Sequence, residues 1–364
     1  MSVVDNAHAD GLGLGPKLTV LQQANAPTPT TNPYLVQLFD VLAPMVRIQY
    51  WSLHKALLSR YDVVHLHWPE YMMRHPSRIG RVLRRVVAAA VLLRWTVLRT
   101  PVVRTMHNLA PHESGDHFER WLLDWTDHLV TRWIRINATT ELREPGTDTA
   151  LHGHYRDWYA HLPKPDMIKG RLLHFGLIRP YKGVETLIQA IAGVRMDQCT
   201  LHIVGNPANA QMRALVEHAC QEDTRISALL QYVDDPTLNR EISEAEVIVL
   251  PYREMHNSGT LLLSLSLSRP VLVPRTPNNE AVAEEVGEGW VLMYDGELTA
   301  QVLEDGIARV RSAQRGQEPD LSKREWAQAG ELHYRSYAAA IEQRRRPGRR
   351  HRASSFPTAP SGKR

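Results

Sequence analysis

Apolar positions in this chain gather into short continuous runs between polar, proline- and glycine-rich loops, and these runs alternate with stretches of helical period. That pattern predicts strands buried on both faces and joined through helices, an α/β fold with parallel sheets. Lys17 to Gln22 reads as the first strand and Ala24 to Asn32 as a loop. Asn32 caps a helix that has Pro33 at its first position and runs to about Leu42. Asp62 to Trp68, Pro101 to His107 and the shorter Ile134 to Ala138 are further strands, the first two ending in histidine-bearing loops. Residues 160–170, with Pro163, Pro165 and Gly170, read as a linker. Beyond it Leu172 to Phe175 reads as a strand, and Val184 to Val194 and Leu261 to Ser268 as helices. Ser322 and Glu325 have capping-box spacing before Trp326, Gly330, His333, Tyr337 and Ile341, which recur at helical intervals. The expected organisation is therefore a first α/β domain over 1–163, a second over 169–325, a last helix over 326–343 and a tail over 344–364. A chain of 364 residues exceeds what one core usually serves, which agrees with two domains.

Charge changes this picture at two places. The tail over 344–364 holds seven arginines and one lysine with no acid, and taking that +8 from the chain's +4 leaves −4 for the rest. The tail is expected to be disordered, serving as a solubilising end or drawn to an anionic membrane, and it implies no specific nucleic-acid partner. Arg78 to Arg99 interleaves Arg78, Arg81, Arg84, Arg85, Arg94 and Arg99 with aliphatic residues and Trp95. This segment either lies on an anionic membrane surface or is an ordinary amphipathic helix packed on a sheet. The longest apolar run, Val86 to Leu93, is too short to span a bilayer, and Met1 to Gly15 lacks the apolar core of a signal peptide. With two cysteines and no metal-ligand spacing, the expectation is a cytoplasmic protein without a metal, peripheral on the inner face of the cell membrane if the basic segments bind it.

The chemistry concentrates after the linker. Strand Leu172 to Phe175 ends in Gly176, a short loop carries Arg179 and Lys182, and a helix starts at Gly183, so two cations meet unpaired backbone N–H groups. Such a loop suits a diphosphate. It is not a P-loop, because no hydroxyl follows the lysine to hold magnesium; the triple glycine Gly11, Gly13 and Gly15 precedes a strand and is not a dinucleotide fingerprint. A second phosphate site is expected at Asn257, Ser258, Gly259 and Thr260, where small residues open a helix.

Gly176-x-x-Arg179-Pro-Tyr-Lys182-Gly183 resembles the donor-binding signature of family-4-like glycosyltransferases, the glycosyl transferases group 1. Leu201 to Gly205, Ala245 to Pro251 and Asn257 to Val271 match the family's following segments in order. The resemblance implies a GT-B fold, two Rossmann-like domains facing a central cleft, with Gly176, Arg179, Lys182, Gly205, Glu254, Asn257, Ser258, Gly259 and Thr260 on the nucleotide sugar. It departs at one point: the family's two glutamates, seven residues between them, fall here on Met255 and Leu263, with Glu254 the only nearby acid. In the first half, His107 with Asn108 resembles the position that contacts the transferred sugar. Glu70 and Glu113 are strand-end carboxylates suited to deprotonating an acceptor, or to ordering their loops. His152 to Tyr159 combines rings and polar groups that suit a sugar, or an ordered loop. The implied reaction moves a hexose from a nucleotide diphosphate sugar, GDP-mannose foremost, to a hydroxyl of a saccharide or lipid-linked glycan in polysaccharide biosynthesis. Arg179 and Lys182 would steady the departing diphosphate with no cofactor. A nucleotide-sugar epimerase and a non-catalytic saccharide-binding scaffold of the same fold are the alternatives.

Overall fold

The structure is a computed structural model that describes residues 17–107, 115–141, 146–252 and 259–345. Its residues divide into two compact units, one made of 17–135, 146–150 and 329–345, the other of 136–141 and 151–328.

In the first unit, β1 (Thr19–Gln22), β2 (Arg47–Tyr50), β3 (Val63–Leu66), β4 (Val102–Met106), β5 (Arg132–Arg135) and β6 (Thr147–Thr149) form one sheet in the order β2-β1-β3-β4-β5-β6, every neighbouring pair parallel. The chain leaves β1 in one direction and returns on its other side through β3. The carboxyl ends of β1 and β3 therefore flank the switch point at which open α/β sheets bind ligands. Helix Pro33–Leu42 forms where Asn32 and Pro33 direct it, the Asn32 side chain accepting from Tyr34 N. Helix Arg78–Val97 buries Ala88, Val91, Leu92 and Trp95 in a core shared with Leu21, Val64 and Val102.

In the second unit, β7 (Arg171–Phe175), β8 (Thr200–Val204), β9 (Ile226–Leu229), β10 (Val247–Val249), β11 (Val271–Pro274) and β12 (Val291–Tyr294) are likewise parallel, in the order β12-β11-β10-β7-β8-β9. Read from the other edge this is the dinucleotide-fold order, with its switch point between β7 and β10. Strand residues alternate between two cores: Leu172, Ile203 and Val249 face one, Leu173, Val204 and Ile248 the other. The sheet is covered on both sides, as continuous apolar runs require.

Several sequence expectations shift. The boundary expected at 163–169 does not match the division of contacts, because loop 151–159 is tied to the second unit. His152 N donates to Ile136 O at 3.0 Å, Tyr155 N to Ser266 Oγ at 2.9 Å, and Trp158 Nε1 and Tyr159 OH to the Asp235 carboxylate at 2.8 and 2.9 Å. The strand expected over Ile134 to Ala138 is Arg132–Arg135, its arginines paired with Asp148 and Thr149 rather than facing solvent. The capping box does not form: Ser322–Arg324 is a short 3-10 turn and the helix starts after Glu325, at Trp326. That helix runs to Arg345, so the tail's first two arginines are helical; Arg344 donates to Thr131 Oγ1 at 3.0 Å and Leu129 O at 2.6 Å. The helix starts with residues of the second unit and continues, from Ala329, with residues of the first.

Candidate active site

At the switch point of the second unit the chain turns sharply twice. Gly183 adopts φ +69°, and a Cβ there would sit 2.2 Å from Pro251 O; at Gly205 it would sit 1.9 Å from Gly176 O. Only glycine fits either place, which locks the β7, β8 and β10 loops together. A Cβ on Gly176 would lie 3.0 Å from Lys182 Nζ and 3.8 Å from Thr260 Oγ1. Gly176, Gly205, Lys182 and Thr260 are thus brought together as the sequence predicts, Thr260 from the first turn of helix Gly259–Ser266. The loop differs from expectation in one detail. Pro180–Lys182 forms a 3-10 turn before Gly183, and helix Val184–Ala192 starts one residue later.

Lys182 is only 7% exposed and makes no ion pair among the described residues. Its ammonium lies 5.0 Å from the Tyr252 ring centroid. Burial lowers its pKa to about 8, with Tyr181 acting upward and Arg179 downward. A buried, unpaired cation costs free energy, so the site favours an anion. Arg179, half-buried on the same loop, likewise has no ion pair among the described residues. Two groups that sequence reasoning missed complete the floor. His174 on β7 is fully buried, its Nδ1 donates to Val249 O at 2.9 Å, its Nε2 is unpaired, and burial with the nearby Lys182 lowers its pKa to about 4. The Tyr252 hydroxyl is buried without a hydrogen bond, although it is close enough to Thr260 to feel that hydroxyl; burial raises its pKa. The signal for both was their place at strand ends flanking the switch point.

The His152 loop reaches the same helix. A Cβ on Gly259 would lie 3.3 Å from Tyr155 OH and 3.9 Å from His152 Nε2. Otherwise the loop's polar groups are used internally: Trp326 Nε1 donates to His154 O at 2.7 Å, and Arg324 holds His152 O while pairing with Glu285. It is an ordering loop beside the helix start. A cavity of about 370 Å³ in this unit is lined by Asn137, Asn278, Glu285 and Arg324, among others. It shares none of its lining residues with the cation loop, and Arg324 and Glu285 neutralise each other. Asn257, Ser258 and Glu254 lie outside the described residues. Leu263, on the family's second glutamate position, is buried in the apolar core.

In the first unit, the carboxyl ends of β1, β3 and β4 carry a hydrogen-bonded file of side chains. His107 Nε2 lies 3.1 Å from His67 Nδ1, and His67 Nε2 3.2 Å from Gln22 Oε1. Gln22 Nε2 donates to Tyr337 OH at 3.1 Å, Tyr337 OH meets His65 Nδ1 at 2.8 Å, and His65 Nε2 meets Thr105 Oγ1 at 2.8 Å. Gln23 fixes the β3 turn by accepting from His67 N and Trp68 N. The His107 ring stacks on Trp68 at 4.3 Å and meets Tyr34 edge-on at 5.2 Å. Burial holds His67 near a pKa of about 3 and His65 well below the usual imidazole value. Glu70 sits on the 3-10 turn Pro69–Met72 and is buried, rather than presented from an open strand end. Glu113 lies outside the described residues. No group of three or more metal-ligating side chains occurs among the described residues.

The family described as Glycosyl transferases group 1 matches residues 169–309, the span that holds the cation loop. The chain is 56% identical over 326 residues, 90% of its length and 93% of the relative's, to a GDP-mannose:glycolipid 4-beta-D-mannosyltransferase of Xanthomonas campestris pv. campestris. Among solved structures, Anabaena HepE in complex with UDP superposes with a TM-score of 0.56 at 14% identity, covering 90% of this chain and 98% of that one. Sucrose-phosphate synthase from Thermosynechococcus elongatus gives 0.54 at 15%, covering 90% and 97%. These two show a shared fold, two parallel-sheet α/β domains of the GT-B type.

Proposed function

The chain belongs to the glycosyl transferases group 1 and is a hexosyltransferase, and from that premise we propose that it transfers mannose from GDP-mannose to a hydroxyl of a lipid-linked saccharide. The observation that carries the donor side is the buried Lys182 ammonium, unpaired among the described residues and set against Gly176 and Thr260. The β- and α-phosphates would lie over this loop, Lys182 and Arg179 gaining most as the sugar–phosphate bond breaks and charge moves onto the leaving diphosphate. Glu254, Asn257 and Ser258 are proposed to bind the same nucleotide sugar, on the sequence motif alone. GDP-mannose and the glycolipid are the substrates in the relative's name, and 56% identity over most of both chains supports carrying them here.

That name also specifies a β-linked product. A β-mannoside formed from an α-linked nucleotide sugar requires inversion at the anomeric carbon, so a base must take the acceptor proton, the leaving phosphate being on the opposite face. His107, Glu70 and Glu113 are the candidates from the first unit, which takes the acceptor side in this reading. The file of hydrogen bonds from Thr105 to His107 favours His107. A lipid-linked acceptor places the enzyme at an anionic membrane surface as a peripheral protein; no helix among the described residues is long and apolar enough to cross one. The test is incubation with GDP-mannose and with UDP-glucose in the presence of a lipid-linked acceptor. Mannosyl transfer with GDP release and a β-anomeric proton in the product is expected. Turnover of UDP-glucose alone would overturn the donor, and an α-product would remove the protein base.

A further inference from the structure

Helix Arg78–Val97 is apolar on two opposite faces. One, with Ala88, Val91, Leu92 and Trp95, packs into the core. The other carries Ile79, Val82, Leu83, Val86, Ala90, Leu93 and Val97, all exposed, with Ile79 84% and Val97 70% accessible. Their spacing of three and four residues aligns them in one stripe along the whole helix, about 30 Å long. A continuous exposed stripe of this length is not the scatter of single apolar residues that soluble surfaces tolerate. Phe118 and Trp121 on the next helix, His117–Leu129, are also about half exposed, and Arg85 lies 5.9 Å from the Phe118 ring centroid.

The helix carries five arginines and no acid, and by helical spacing Arg78 and Arg94 flank the stripe. Arg85 is neutralised by Asp116 and Glu119, and Arg94 is held by the Ser59 carbonyl and Tyr61. Arg84 donates to the Tyr71 and Arg74 carbonyls, each at 3.3 Å, whereas Arg78, Arg81 and, just past the helix, Arg99 make no ion pair among the described residues. The geometry points to this face as the site at which the protein docks on an anionic bilayer. The helix lies flat in the interface, its stripe inserted among the acyl chains, Arg78 at headgroup level and the aromatic pair beside it at the boundary. A second copy of the chain fits worse, because apposing two such stripes brings together two arginine-bearing helices with no carboxylate on either to offset them. The proposal deepens the lipid-linked acceptor reading, since that substrate is held in a membrane.

The experiment is flotation of the full-length chain with phosphatidylcholine vesicles, with and without phosphatidylglycerol, for the wild type, the triple variant Ile79→Ser, Leu83→Ser and Val86→Ser, and a deletion of 346–364. Circular dichroism checks the fold, which solvent-facing serines leave intact. Wild type should bind only the anionic vesicles and less at high salt. The triple variant should lose about tenfold or more in partitioning, and the deletion less than that. Triple-variant binding equal to wild type, or binding abolished by the deletion alone, overturns the proposal. So does a wild-type dimer that the serines split while vesicle binding stays unchanged. Transfer from GDP-mannose to a water-soluble acceptor, measured alongside, should be equal in wild type and triple variant. If neither turns over GDP-mannose, the donor reading falls, while stripe-dependent vesicle binding still upholds the docking face.

Discussion

His67 donates from Nε2 to Gln22 Oε1 and so keeps only Nδ1 to face His107 Nε2, 3.1 Å away. The amide nitrogen of Gln22 is spent on Tyr337 OH, its oxygen can only accept, and burial keeps His67 neutral with a single ring proton. His107 must then donate from Nε2 to His67 Nδ1. Nitrogen-15 NMR of the side chain should show the Nε2-protonated tautomer of His107 in the wild type and a mixture in Gln22→Leu. The opposite tautomer in the wild type would break this account. His107→Ala should lower turnover by roughly 10²–10⁴-fold, the scale of a lost general base, while GDP affinity by calorimetry stays within a few-fold.

Lys182 gives the donor site a pH signature. Burial lowers its pKa to about 8, and a bound diphosphate would raise it again. Binding therefore favours the protonated form: affinity for GDP should be highest below about pH 8, fall as pH rises through it, and be accompanied by proton uptake on its alkaline side. Calorimetry in buffers of different ionisation enthalpy reads that uptake directly, and none at about pH 8.5 would contradict the buried cation. The same burial destabilises the empty protein at neutral pH, since the unfolded chain holds this proton more tightly. Lys182→Met should stabilise the ligand-free protein by on the order of 1–3 kcal/mol, seen as a higher melting temperature, and abolish its stabilisation by GDP.

Both cations of the loop should matter to the chemistry more than to the fold. Arg179→Ala and Lys182→Ala are each expected to lower transfer by about two orders of magnitude, the scale of removing one donor aimed at developing charge. Near-wild-type rates in the double variant would remove the loop from the mechanism. Because the two side chains supply the positive charge themselves, transfer should persist in excess EDTA, and loss restored by magnesium would reassign that role.

Acid should unfold this protein early. His65, His67, His152, His174 and His333 are all buried with lowered pKa values, burial being the first cause for each. In the unfolded chain they return to about 6.5, so as pH falls below that value the unfolded state binds protons that the folded state refuses. Their stabilising contribution is complete above about 6.5 and lost toward about 4. With five such groups, stability should fall by several kcal/mol per pH unit in that window, at about 1.4 kcal/mol per proton. Urea midpoints that stay flat between about pH 7 and 5 would show that these rings are not buried and neutral.

The parts legible in the sequence were those set by neighbours in the chain. Asn32 and Pro33 announce their helix, and Gly176, Arg179, Lys182 and Gly183 announce the cation loop, because backbone geometry and local charge decide both. What escaped was set by partners far away. The strand expected over Ile134 to Ala138 starts two residues earlier, at Arg132, because Asp148 and Thr149 take the arginines at its two ends. The His152 loop reads equally as a sugar site or an ordered loop, and its bonds to Asp235, Ser266 and Trp326 show the ordering. Ser322 and Glu325 have the right spacing for a capping box, but the 3-10 turn sets the helix start after Glu325. Nothing local in Gln22 foretells its bond to Tyr337, 315 residues on.

The last helix has a consequence for how the protein is made. His65 waits for Tyr337, 272 residues later, and Arg344 closes onto Thr131 later still. The second unit, almost continuous from 136 to 328, is complete in sequence before those partners leave the ribosome. The usual order of synthesis, amino-terminal domain first, is therefore reversed here in its final step. During translation the first unit stands as an open sheet with the polar file on β1 and β3 unfinished, and the helix Trp326–Arg345 supplies the keystone.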